Sequence, residues 1–143
     1  MTSILLFFIG GHIIKKDSRT KSYPLADSPQ RILHAMVGSK AVRGKIRVQP
    51  DRFVTLLGEA TLRQTGDSKC IREHFELTHG SETIIGEAII AFSEVQNRFQ
   101  LAQVTSATDG IILLTGNWNR KERRLQFTRG SCDSTAALSL QVD

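Results

Sequence analysis

From residue 42 to residue 127 the apolar side chains recur at every second position, in segments separated by turn-forming residues. Such alternation is typical of β-strands that bury one face, because successive side chains of a strand point to opposite sides of the sheet. Turn signals such as Thr108-Asp109-Gly110 follow at intervals of about 10 to 14 residues. No ten-residue helical pattern lies between the predicted strands, which argues against a parallel βαβ fold. The sequence therefore predicts an all-β antiparallel meander.

The meander is expected to contain about seven strands joined by short turns. Long, twisted strands in that number tend to curl, and closure of the sheet removes its exposed edges. We therefore predict an up-and-down β-barrel, with a last strand over Leu138, Leu140 and Val142. The segment 111–118 is apolar on both faces, and we expect it to be central in the sheet or covered by a helix.

One short helix is predicted before the first strand. Asp27 or Ser28 can accept a free amide of the first turn, and Pro29 has the φ angle that a helix start requires. Gly38 suits the residue that ends the helix. A helix this short needs to dock on the sheet, and it carries one apolar stripe for that purpose: Ile32, Leu33, Met36 and Val37.

The 143 residues match the size of one domain. We expect a single barrel domain over 27–143 and a poorly ordered extension over 1–26. The apolar run 4–9 is far shorter than the ~20 residues of a membrane span. It also lacks the preceding basic residues and the cleavage site of a signal peptide. We therefore predict a cytoplasmic protein without a stable membrane span.

Several classes of function find no support in the sequence. The net charge is +5, but the basic residues are scattered and the aromatic residues do not alternate with arginine as on a base-stacking sheet. His74 and His79, five residues apart, point to opposite faces of a strand, which does not suit a metal site. Cys70 and Cys132 form no C-x-x-C motif and are expected as free thiols. We predict no nucleic-acid partner, no cofactor, no metal and no catalytic residue, and favour a binding protein over an enzyme.

Two polar residues, Glu73 and Gln103, stand on otherwise apolar strand faces. A buried polar group without a hydrogen bond costs on the order of a few kcal/mol. These side chains therefore bond each other, bond a water or lie at the barrel mouth, or else they orient a ligand in an apolar cup. The same faces carry four small residues that either let the strands bend or leave volume for a ligand: Gly58, Ala60, Gly86 and Ala88.

We therefore predict a module that binds a small, mostly apolar molecule in its interior. The affinity would come from burial of apolar surface, and Glu73 and Gln103 would set the orientation of the ligand. The candidate ligand-binding residues are Glu73, Phe75, Leu101, Gln103 and Trp118.

Two other functions remain open. One is a filled barrel that acts through its surface as a protein-interaction or assembly module, with an exposed apolar patch at Ile85 and Ile89. The other is an enzyme with a pair of titratable carboxyl groups at the barrel mouth. The volume and the lining of the interior distinguish the three hypotheses.

A set of short motifs extends over residues 29–129. They are the run 33–39, Gly58, Gly86, Phe92, Arg98-Phe99, Asp109-Gly110, Gly116-Asn117-Trp118 and Leu125-Gln126-Phe127-Thr128. Together they resemble the bacterial family catalogued as domain of unknown function 1579. The resemblance implies a lipocalin-like barrel with no established activity.

The chain departs from that family pattern at one turn. Lys40 stands where the family has the tryptophan of a Gly-x-Trp motif. Lipocalin-like nitrobindins share this turn and bind haem through a histidine on a late strand. Because this chain has no histidine after His79, the resemblance does not extend to haem.

Overall fold

The computed structural model describes residues 7–10, 28–67, 69–128 and 137–141, with the backbone alone at 7–10, 46–48 and 137–141. The elements in chain order are β1 (Phe7–Gly10), α1 (Pro29–Ala35), β2 (Gly38–Gln49), β3 (Arg52–Gln64), β4 (Cys70–His79), β5 (Glu82–Ser93), β6 (Arg98–Thr105), β7 (Ile112–Asn119), β8 (Arg124–Thr128) and β9 (Ala137–Gln141).

Strands β2 to β8 form one antiparallel meander, in which each strand pairs with the next one in the chain. This confirms the antiparallel β fold with one short helix that the alternation predicts. Within the described residues β2 and β8 do not pair with each other. The seven-strand meander is therefore an open half-barrel.

Two short strands lie between the edges of this half-barrel. β1 pairs antiparallel with β2, and β9 pairs antiparallel with β8. β1 and β9 pair in parallel, with Ile9 opposite Ser139. The prediction of a meander that closes by itself is therefore wrong, because the described contacts between its edges run through β1 and β9. Two parallel strands cannot be joined by a hairpin. The alternation and turn signals that predict a meander therefore do not predict the β1–β9 pair.

One face of each long strand lies in a common interior. In β4 the buried positions are Ile71, Glu73, Phe75 and Leu77, and the positions between them are exposed. This is the alternation expected from the sequence, and it recurs in β5 and β6. Each large apolar side chain that is buried in this way stabilises the fold by about 1.5–3 kcal/mol. The hydrophobic core is therefore the concave side of the half-barrel.

Strand β7 buries only one of its two apolar faces. It pairs with β6 on one side and with β8 on the other, so it is central in the sheet. Leu114 points into the core, but Leu113 is 68% exposed, and Ile111, just before the strand, is 67% exposed. The helix does not cover these residues, because α1 packs against β4 and β5. An apolar strip therefore remains on the outer face of the sheet.

Helix α1 begins and docks as its sequence predicts. The Oγ of Ser28 accepts a hydrogen bond from the backbone N–H of Arg31 at 3.3 Å, and Pro29 follows at the first helical position. Ile32 and Leu33 are buried in the core. The helix leads into β2 through Gly38, whose φ of +126° favours glycine.

The small residues of the interior permit close packing. Gly86 lies opposite Phe75 in the neighbouring strand, and a Cβ atom at position 86 would overlap the Phe75 ring. A Cβ atom at Gly58 would overlap the backbone carbonyl of Glu76. The space at Gly86 is therefore filled by a side chain of the protein, and Gly58 allows two strands to approach closely.

We predict that Gly86→Ala destabilises the protein by about 1–3 kcal/mol, because the added methyl group displaces the buried ring of Phe75. Urea unfolding followed by circular dichroism measures this change. Gly66→Ala is the matched control, since a Cβ atom at position 66 would have no described atom within 4 Å. Equal unfolding midpoints for Gly86→Ala and the unmodified protein would contradict the packing described here.

Candidate ligand site

Glu73 and Gln103 lie in one row of the interior. Glu73 in β4 is opposite Ala88 in β5, and Ala88 is opposite Gln103 in β6. Because neighbouring strands are about 4.8 Å apart, the Cα atoms of Glu73 and Gln103 are about 10 Å apart, with the methyl group of Ala88 between them. The exposed fraction is 4% for Glu73 and 3% for Gln103. We call these three residues the polar row.

Glu73 and Gln103 lack hydrogen-bond partners among the described residues. In that part of the chain no group bonds the buried Nε2 of Gln103. Burial is the cause of the pKa shift of Glu73, with no contribution from a described hydrogen bond or charge. Buried polar groups in proteins are nearly always paired with protein or ordered water. The polar row therefore has the hydrogen-bonding capacity to hold a polar group that is not part of the protein.

Burial raises the pKa of Glu73 to about 7. The cause is desolvation alone, since an apolar interior disfavours the charged carboxylate. Near neutral pH the Glu73 carboxyl therefore exists in both forms. The protonated form can donate a hydrogen bond, and the ionised form can only accept.

The other predicted ligand residues are placed at different distances from the polar row. Phe75 and Leu101 are two residues away from Glu73 and Gln103 in the same strands, and both are fully buried. Trp118 is partly buried, and its Nε1 has no hydrogen-bond partner among the described residues. Ile112 in β7 is opposite Gln103. Trp118 is six residues farther along β7, which places it about 20 Å from the polar row. The structure gathers four of the five predicted residues and leaves Trp118 distant from them.

The outer face of β3, β4 and β5 carries a charged groove of about 420 Å³, which the sequence did not reveal because its residues come from three strands. Arg72 Nη2 lies 2.8 Å from Glu87 Oε2, and His74 Nδ1 lies 3.7 Å from Glu87 Oε1. Arg72 lowers the pKa of Glu87, and Glu87 raises the pKa of Arg72. These side chains are exposed to water and partly neutralise each other. The remaining residues of the lining are Thr61 and Arg63.

The arrangement of acidic, histidine and cysteine side chains limits the chemistry of the site. Within the described residues, no group of three or more such side chains is placed to hold a metal ion. Glu73 is the buried carboxyl of the described core, and Gln103 is the other buried polar residue there. Cys70 is a free thiol, whose Sγ lies 2.7 Å from Thr65 Oγ1, while Cys132 lies outside the described residues. The interior therefore offers hydrogen bonds and apolar contact.

The fold and the polar row together define a curved antiparallel β sheet with a polar pair in its apolar interior. Comparisons with protein-family models, curated proteins and solved structures gave no match to this chain. Among the described residues, no helix has the length and apolar character needed to cross a membrane.

The raised pKa of Glu73 predicts how stability depends on pH. The folded state holds the Glu73 proton more tightly than the unfolded chain, whose reference pKa is 4.5. This contribution is fully present below pH 4.5 and is lost as the pH rises through about 7. We expect the free energy of unfolding to fall by up to ~3 kcal/mol over this interval because of Glu73. Urea unfolding at a series of pH values measures the slope.

Glu73→Gln should remove that slope, because glutamine has no proton to release. Glu59→Gln is the matched control, since Glu59 is exposed on the outer face of β3 and leaves Glu73 in place. A Glu73→Gln protein that keeps the pH slope of the unmodified protein would show that other groups cause it.

Proposed function

We propose that this chain is a small-molecule binding module of lipocalin-like type, whose interior holds a mostly apolar ligand. The observation that carries the proposal is the polar row, in which two buried polar side chains flank a small one. In the described structure the Nε2 of Gln103 has no protein partner, and burial alone raises the pKa of Glu73. The proposal includes closure of the half-barrel by β1 and β9. It also includes membership in the family of unknown function 1579, which the motifs over 29–129 resemble, and a cytoplasmic location.

Most of the affinity would come from apolar contact, at about 25 cal/mol per Å² of buried surface before the costs of association. The space used would lie over Ala88, since Phe75 fills the space at Gly86. Phe75 and Leu101 would form apolar walls on either side of the polar row.

The polar row would set the orientation of the ligand. A hydroxyl or amide group suits it, because such a group can accept a hydrogen bond from Nε2 of Gln103 and donate one to the carboxylate of Glu73. A ligand that also reached the indole N–H of Trp118, which has no partner in the described part of the chain, would have to extend over about 20 Å.

Native mass spectrometry of the protein purified gently from cells tests this function. We expect a reproducible additional mass that is lost on denaturation, and we expect the double variant Glu73→Leu/Gln103→Leu to lose it. The variant replaces two groups of the polar row by apolar groups of similar size, so it removes the hydrogen bonds to the ligand and keeps the interior filled.

The matched control is Glu59→Leu/Gln100→Leu, which makes the same two changes on the exposed outer face of the sheet. The control should retain the additional mass. Equal retention by both variants would refute the role of Glu73 and Gln103, and an unmodified protein that carries no additional mass would speak against a ligand-holding interior.

A second candidate function is a filled barrel that acts through its surface. One observation favours it: Ile85 and Ile89 are 47% and 51% exposed on the outer face of β5. Exposed apolar patches on soluble domains are often interaction sites. A carboxylate-based enzyme would need a second titratable group beside Glu73, and the described core supplies none.

A further inference from the structure

Five large aliphatic side chains lie together on the outer face of β5, β6 and β7. We call them the outer apolar patch: Ile85, Ile89, Val104, Ile111 and Leu113. Their exposed fractions run from 44% to 68%. The patch is independent of the polar row, which lies on the opposite face of the same sheet.

The strand register makes this patch continuous. Ile89 is opposite Ala102 in β6, and Ala102 is opposite Leu113 in β7, so one apolar row crosses three strands. Val104 extends the patch by two residues along β6, and Ile111 lies just before β7. Glu87, opposite Val104, stands between Ile85 and Ile89 on this face of β5, and Arg72 in β4 is opposite Ile89. Among the described residues the patch is therefore free of charge along β6 and β7, and charged side chains adjoin it at β5.

We propose that a second copy of this chain docks on the outer apolar patch, so that two β5–β7 faces pack against each other in a symmetric dimer. Each copy would bring the same surface, as an isologous two-fold contact requires. The two sheets would pack face to face at about 10 Å, in the manner of a β-sandwich. The proposal does not depend on whether the interior holds a ligand.

The area of the patch suits such a dimer. The five side chains expose on the order of 500 Å² of apolar surface, which lies near the top of the range of about 300–600 Å² for the largest patch of a typical monomer. A stable interface buries about 800 Å² on each partner. The patch would supply most of that area and the surrounding polar residues the rest.

The chemistry of the patch favours a second copy over a partner chosen by charge. Interfaces between identical subunits are more apolar than other interfaces and have few charged residues at their centre. The outer apolar patch has this composition along β6 and β7. At β5 the charged side chains Arg72 and Glu87 adjoin it and already pair with each other, so they leave little net charge to select an oppositely charged protein.

Sedimentation velocity of the full chain, from about 1 to 100 µM, tests the proposal. We expect the unmodified protein to form a species of twice the 15.9 kDa mass of one chain. The double variant Ile89→Lys/Leu113→Lys should raise the dimer dissociation constant by about 100-fold or more, because two charges would be placed in an apolar contact. Circular dichroism verifies that each variant remains folded, as expected for substitutions at exposed positions.

Two lysine substitutions outside the patch are the matched controls. Val95→Lys lies in the β5–β6 turn and is 97% exposed, and Leu57→Lys lies on the outer face of β3 and is 56% exposed. Both control variants should have the same dimer dissociation constant as the unmodified protein. A monomeric unmodified protein at about 100 µM, or a patch variant that dimerises normally, would overturn the proposal.

The salt dependence provides a second measurement that needs no variant. Each chain carries a net charge of +5, and the proposed contact is apolar, so raising the salt concentration from about 0.05 to 0.5 M should strengthen the dimer by screening the repulsion. A dimer that dissociates over this interval would be held by ion pairs, and the outer apolar patch would not be its interface.

Discussion

The burial of one face of every long strand is the constraint from which the other features follow. The alternate residues of β2 to β8 meet in one apolar interior, so a shift of one residue in any pair would place charged side chains such as Arg72 inside and Ile71 outside. The same interior draws α1 against β4 and β5. It also explains Gly86, where the absence of a side chain makes room for the ring of Phe75.

The polar row breaks that constraint at one place. A carboxyl and a primary amide occupy positions on a mostly apolar face, and the Nε2 of Gln103 has no protein partner within the described structure. Burial in this apolar interior raises the pKa of the Glu73 carboxyl. Local inconsistencies of this kind are expected where a protein binds or reacts rather than where it only folds, which is why the proposed ligand is placed there.

The outer face of the sheet is divided into two parts with different properties. On β3 to β5 it carries charged side chains, among them the ion pair of Arg72 and Glu87. On β5 to β7 it carries the outer apolar patch, whose members stand on both sides of Ala102. The charged part on β3 to β5 is compatible with contact to water, and the apolar part on β5 to β7 is compatible with contact to a protein surface. The interior and the outer apolar patch could therefore serve two functions on opposite faces of the same strands.

The sequence by itself determined strands β2 to β8, the turns between them, the capped helix and the inward positions of Glu73 and Gln103, because alternation and capping are set by residues close in the chain. Only the tertiary structure decided four further features. These are the open meander bridged by a parallel β1–β9 pair, the filling of the space at Gly86, the exposure of Leu113 and the distance of Trp118 from the polar row. Each depends on which residues of paired strands stand opposite one another and on what covers each face of the sheet, and a local period of two carries no information about either.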